Sequence, residues 1–112
     1  MQIKTINVAK EFYHRLANST KKRGDGKYTA KQFRKKYLKQ FDNKEAWENK
    51  SKGIILDFSD VSKISPSFAN KAFSYFNKYA IPNEILNKIE FINIHPVKLA
   101  IIAMEINSGY DG

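Results

Sequence analysis

Residues 53–79 read GIILDFSDVSKISPSFANKAFSYFNKY, and the fold is decided in this stretch. Ile54, Ile55, Leu56 and Phe58 form a near-continuous apolar run, the pattern of a strand covered on both faces, and so predict a central strand. The polar connection SDVSKI that follows carries Val61 and Ile64 as inward anchors. It leads into Ser65-Pro66-Ser67-Phe68. Proline has no amide hydrogen to satisfy and suits the first helical position, and a serine before it suits the cap. Phe68, Ala69, Ala72, Phe73 and Phe76 then fall on one stripe, which predicts a helix to about Tyr79, ending near Ala80-Ile81-Pro82.

Downstream, a third strand is predicted over residues 88–94, where Ile89, Phe91, Ile92 and Ile94 look covered on both faces. His95-Pro96 restarts a helix with Leu99, Ile102, Ala103 and Ile106 along one face, broadened by Val97, Ala100, Ile101 and Met104. Asn107-Ser108-Gly109 ends it and leaves 107–112 as a mobile tail. Upstream, Ile6 and Val8 place a strand over residues 2–8. After it the spacing of Ala9, Phe12, Tyr13 and Leu16 fits a helix, while a continuing strand or hairpin through Phe12 fits as well.

Residues 18–28, NSTKKRGDGKY, have the small polar, glycine and basic composition of an exposed loop. Thr29 with Gln32 makes a capping-box pattern, which starts a helix over residues 30–41. Ala30, Phe33, Tyr37 and Phe41, with Leu38 beside them, give that helix a packing stripe, and Lys31, Arg34, Lys35 and Lys39 give it a basic side. Residues 42–52 read as a loop or short helical turn in which Trp47 caps the core edge. The order strand, helix, strand, helix with short links predicts an α/β fold: one small domain over residues 1–112, a mixed sheet with a parallel, right-handed βαβ core, and helices packed on it.

The chain has 112 residues, with 42% hydrophobic and 28% charged, the mix of an ordinary globular domain. Without cysteine it has no disulfide, thiolate or cysteine-ligated zinc chemistry. The N-terminus lacks a basic-then-apolar signal pattern and no apolar run approaches membrane-spanning length, so a cytoplasmic protein without a membrane partner is expected. Charge is the outlier at a formal +9. Residues 1–52 hold fifteen basic and five acidic residues, residues 53–112 five basic and six acidic, so an anionic partner should meet the first half.

Catalytic and cofactor constellations are missing from the pattern. His14 and His95 lie far apart, neither in a recognisable nucleophile motif nor with a second ligand at metal spacing. Arg23-Gly24-Asp25-Gly26-Lys27 is too short and wrongly placed for a phosphate loop, though Arg23 and Lys27 suit an anion. Asp57 and Asp60 raise the thought of magnesium, against the simpler reading that Asp57 accepts from backbone amides of the next loop. No metal, cofactor or enzymatic activity is expected.

The run LDFSDVSKISPSFANKAFSYF resembles the central strand and helix of the STAS-like domain of unknown function family. INVAKEF, the basic Arg-Gly loop with YTAKQFRKKYL, and IEFINIHP extend the likeness over about residues 3–106. The wider STAS class includes bacterial anti-sigma-factor antagonists, which carry an Asp-Ser-Ser-Gly element at this helix start. The second serine of that element is phosphorylated by a kinase-like ATPase that is also the binding partner. Aligned on Leu56-Asp57, the element falls on Ser65, Pro66, Ser67 and Phe68, and Ser67 matches the phosphorylated position; the acidic residue, first serine and glycine are absent.

The resemblance implies a non-enzymatic protein-interaction or regulatory module, docking on a histidine-kinase-like ATPase through Ser65, Ser67, Phe68 and Asp57. The plainer reading is that Ser65 caps the helix and Ser67 faces solvent. The alternative function is nucleic-acid binding through Lys21, Lys22, Arg23, Lys27, Lys31, Arg34, Lys35 and Lys39, with Tyr28 to stack; the bland counterpart is a solvated lysine face. The oligomeric state is left open by the sequence.

Overall fold

A computed structural model describes residues 3–17, 28–49 and 51–111. The basic run at Lys21, Lys22, Arg23 and Lys27 lies outside the described residues. Strands β1 (Lys4–Asn7), β3 (Ile54–Asp57) and β5 (Ile89–Ile92) form one sheet in the order β1-β3-β5. Both ladders are parallel, with Asn7 level with Asp57 and Asp57 level with Ile92. The expected central strand is therefore β3, its Ile54 and Leu56 at 1% and 0% exposure. Two short strands, β2 (Arg15–Leu16) and β4 (Lys63–Ile64), pair in parallel as a second small sheet. Among the described residues it is the parallel part of the expected mixed sheet that is present.

A single helical turn, α1 (Val8–Glu11), follows β1 directly. Asn7 accepts from the Lys10 amide at 3.1 Å while the Glu11 carboxylate takes Asn7's own N–H at 2.8 Å, so two orphan donors are met at once. Helix α2 (Ala30–Tyr37) starts where the capping pattern placed it, with Thr29 Oγ1 accepting from Gln32 N at 3.2 Å. It is four residues shorter than expected. Leu38 leaves helical geometry (φ −117°, ψ 9°), and a tighter turn over Lys39–Phe41 carries Phe41 inward. A second tight turn, Lys44–Trp47, brings Trp47 into the core itself, not merely to its edge. There its indole N–H donates to Phe41 O at 2.7 Å and its ring lies 5.5 Å from Phe76.

Helix α3 (Pro66–Phe73) is the middle of the packing, against α2 on one side and α5 (Pro96–Ser108) on the other. Phe68, Ala69, Ala72 and Phe73 are fully buried, and Phe33 of α2 meets Phe68 and Phe73 edge-on at 5.9 and 6.0 Å. Burying a phenylalanine of this kind contributes about 1.5–3 kcal/mol, so this cluster is a principal source of stability. The helix stops at Phe73, short of the expected Tyr79, and continues as a tight turn over Ser74–Lys78.

An unexpected helix, α4 (Pro82–Lys88), occupies the stretch read as a helix end. Pro82 opens it and the Glu84 carboxylate reaches back to the Ile81 amide at 3.1 Å. It runs straight into β5, whose Phe91 and Ile92 are only half-covered. On α5 the inward residues are Ile102 and Ile106, while Leu99, expected inside, is 38% exposed with Val97 and Met104 beyond it. The helix buries a narrow i, i+4 stripe, and the wide apolar surface read from its sequence is not all used. Residues 109–111, expected as part of a mobile tail, are tied to Asn70: it donates to Gly109 O at 2.8 Å and accepts from Asp111 N at 3.0 Å.

Candidate functional site

The start of α3 is held from three directions. Ser65 Oγ accepts from Phe68 N and donates to Ala17 O, both at 3.0 Å, and the Ser65 amide donates to Leu16 O at 2.8 Å. Ser65 is thus both cap and tether to the second small sheet. Phe68 is completely buried and 5.9 Å from Phe33, so it anchors the core and presents nothing to a partner. Pro66 and Ser67 are exposed on the first turn. Of the residues expected to dock, Ser67 alone offers its side chain freely at the surface.

Asp57 does a different job. Its Oδ1 accepts from Ser59 N at 2.9 Å, Ser59 Oγ at 2.7 Å and Asn93 Nδ2 at 3.1 Å. The Ser59 hydroxyl first, then the Ser59 amide and Asn93, hold its carboxyl below the usual carboxylate range. Asp57 therefore accepts a backbone amide of the next loop, the simpler reading of the sequence, and through Asn93 it also ties the ends of β3 and β5, which that reading does not contain. Asp60 and Asn93, both with positive φ (65° and 53°), make the bends beside this clasp; Asn and Asp tolerate that region better than most residues.

The basic side of α2 is partly committed. Lys31, Lys35 and Lys39 are exposed, but the Arg34 guanidinium lies 3.7 Å above the Tyr75 ring and donates to Lys71 O. Arg34, Lys35, Lys39, Asp42 and Tyr75 border a cleft of about 540 Å³. At its edge Asp42 accepts from Tyr79 Oη at 2.6 Å and from Tyr75 Oη at 3.0 Å. Those bonds, the one from Tyr79 foremost, lower the Asp42 pKa, and the bond to Asp42 raises that of Tyr79. Tyr28 is already stacked, 4.1 Å from Tyr13 with rings 8° apart, which occupies one of the faces a base would need.

Two contacts escaped the sequence. Asp42, Tyr75 and Tyr79 are brought together across more than thirty residues, with no local pattern to announce it. His14 Nδ1 and Ser62 Oγ lie 3.2 Å apart, a serine–histidine contact made by pairing β2 with β4. The Ser62 hydroxyl also donates to His14 O at 3.1 Å, so the contact ties the chain beside β2 to the chain beside β4. His95 Nδ1 accepts from Val97 N at 3.1 Å and caps α5. Among the described residues no group of three or more His, Asp or Glu side chains gathers as a metal site, and no helix is long and apolar enough to cross a membrane.

The model of the STAS-like domain of unknown function (DUF4325) matches residues 29–98, from the cap of α2 to the first turn of α5. The chain belongs to that family. The match is narrower than the resemblance over 3–106, leaving β1, α1, β2 and most of α5 outside it, and the family's own description assigns no function. No curated protein matches. Nor does any solved structure. The STAS-like domain thus brings with it an architecture, and its role must be argued from its surface.

Proposed function

We propose that this STAS-like domain is a non-catalytic binding module that docks another protein through the start of α3, with Ser67 at the centre of the contact. The observation that supports the reading is the exposure of Ser67 on a turn whose other members are locked, Ser65 by its cap and tether and Phe68 by the core. A contact residue on a rigid element loses little freedom on binding, which favours affinity. The resemblance to anti-sigma-factor antagonists makes a kinase-like ATPase the kind of partner to expect. Pro66 has no amide hydrogen, and Ser65 takes those of Phe68 and Ala69, so a phosphate on Ser67 would meet Ser67's own N–H and the positive end of the helix dipole.

The test is retention of partner by the immobilised domain. Capture by wild type and Ser67→Ala, with at least about tenfold weaker capture by Ser67→Glu, is the expected result. Partner binding indifferent to charge at Ser67 overturns the reading.

A second reading is favoured by the exposure of Lys31 and Lys35 on α2 and of Lys39 on the turn that follows it: docking of nucleic acid there, with the basic residues of the preceding run. Three lysines neutralising phosphates give log affinity against log salt a slope of about −2 to −3. A fluorescence titration with labelled RNA or DNA measures that slope, and no binding at low salt removes this reading.

A further inference from the structure

Lys88, the last residue of α4, is 5% exposed. Lysine is among the residues least often buried without a partner, because an ammonium taken out of water loses its hydration and must regain it from the fold. Here the fold returns little. Lys88 Nζ donates to the Asn49 carbonyl oxygen, and among the described residues the ion pair is made elsewhere, between Lys52 and Glu90. Burial pushes the Lys88 pKa down. Glu84, one turn earlier on the same helix, spends its Oε1 on the Ile81 amide at the far end of α4.

This under-compensated cation stands in the wall between two cavities, of about 300 and 490 Å³, both lined by Lys88 and Asn49. The smaller is at the lower end of the range for small-molecule sites. It combines an apolar side from Trp47 and Ile81 with the side-chain amides of Asn49 and Asn83, and the carboxylate in its lining, Glu84, is turned onto the Ile81 amide. An anion entering it would give the ammonium the counter-charge it lacks, and the amide groups of Asn49 and Asn83 supply further donors.

We propose that the cavity between α4 and the Trp47–Asn49 segment binds a small organic anion, carrying a carboxylate or phosphate group, whose charge is taken by Lys88. The position is separate from the start of α3, so the two sites stand or fall independently.

The experiment is a ¹H–¹⁵N NMR titration of the folded domain with sodium phosphate and, separately, sodium acetate, at constant ionic strength. Saturable shifts at the Trp47 indole and the Asn83 and Asn87 side-chain amides are expected with at least one of the two, and which one responds identifies the head group. Lys88→Met should weaken that binding at least about tenfold, whereas Lys35→Met, outside the cavity, leaves it intact. Absence of shifts with both anions, shifts that do not saturate or that centre on exposed lysines, or equal binding by Lys88→Met overturns the proposal. If Lys88→Met fails to fold, Asn83→Trp at the exposed rim serves instead, and retained binding by that variant overturns the proposal equally.

Discussion

At the start of α3 the polar side chains are spent on the fold, whereas in the segments 47–53 and 74–88 several residues break the rules the rest of the domain keeps. Ser65 donates and accepts, Asp57 takes three hydrogen bonds, and Phe68 is enclosed. By contrast Lys88 is buried with only a carbonyl to hold it, Ser74 Oγ is buried with no partner among the described atoms, and Gly53 sits where a Cβ would collide with the Phe41 ring and lie 2.8 Å from Lys88 Cδ. Local rules that are kept build stability; local rules that are broken without an evident return mark places where something beyond stability has been selected. The first region therefore exposes one free side chain, Ser67, and the second exposes a cavity.

The largest expected effect lies on the well-wired side. Phe68→Ala removes a ring packed against Phe33 and Phe12 and leaves a cavity under the α3 start, costing about 3–5 kcal/mol. Urea denaturation measures it. A loss under about 1 kcal/mol would mean that the helix start is not anchored by the core and that its rigidity comes from Ser65 alone.

Next is Gly53→Ala, on the strained side. The added methyl forces Phe41 and Lys88 apart, and overpacking of this kind costs about 1–3 kcal/mol. Because the Gly53 amide also donates to Lys88 O at 2.8 Å, the displacement should be felt at Lys88. Denaturation gives the cost, and unchanged stability would show the approach of Phe41 and Lys88 to be loose.

These two residues also mark what the sequence could tell and what it could not. Phe68 is legible because it belongs to a period-3.6 stripe following a serine-proline start, a pattern confined to a dozen neighbouring residues. The same locality made β3, α3, β5 and the α5 start readable. Gly53 and Lys88 are thirty-five residues apart, and nothing in either neighbourhood says that they meet. The sequence pattern carries α2 and α3 past their true ends because Phe41 and Phe76 keep the helical spacing while the backbone tightens beneath them. Helix α4 is hard to read although Pro82 and Glu84 form a start signal, since the apolar run that should follow is only Ile85 and Leu86. The site shows the same division: the Ser65 cap is legible from local pattern, while the burial of Phe68's ring and the capture of Arg34 by Tyr75 depend on packing between distant elements.

A smaller effect of opposite sign is expected at Ser74. Its hydroxyl is fully buried and has no partner among the described residues, which costs roughly 1–3 kcal/mol in desolvation that an alanine does not incur. Ser74→Ala should therefore be stabilising, by about 1 kcal/mol once the lost packing of the oxygen is set against it. Destabilisation of that size in urea denaturation would mean that the hydroxyl has a hydrogen-bond partner after all, and would move Ser74 to the well-wired class.

The smallest effect separates the two regions by pH. Asp57 has its carboxyl pKa lowered by Ser59 and Asn93, so the folded state favours the ionised form more than the unfolded chain does. The stability this supplies is present above the ordinary carboxylate pKa of about 3.9 and is lost as pH falls through the lower folded value. Half-exposed and screened by solvent, it amounts to under about 1 kcal/mol. Asp42, held down chiefly by Tyr79, titrates in the same window, so wild type must be compared with Asp57→Asn and not read alone. The asparagine can still accept from Ser59 but carries no charge at any pH. The difference in stability between the two proteins should thus be greatest near neutrality and shrink as pH falls below about 4. Denaturation midpoints measured from pH 7 to pH 3 decide the matter. If the two curves stay parallel, the clasp between β3 and β5 owes nothing to the charge of Asp57, and the carboxylate becomes another misfit to be explained by function.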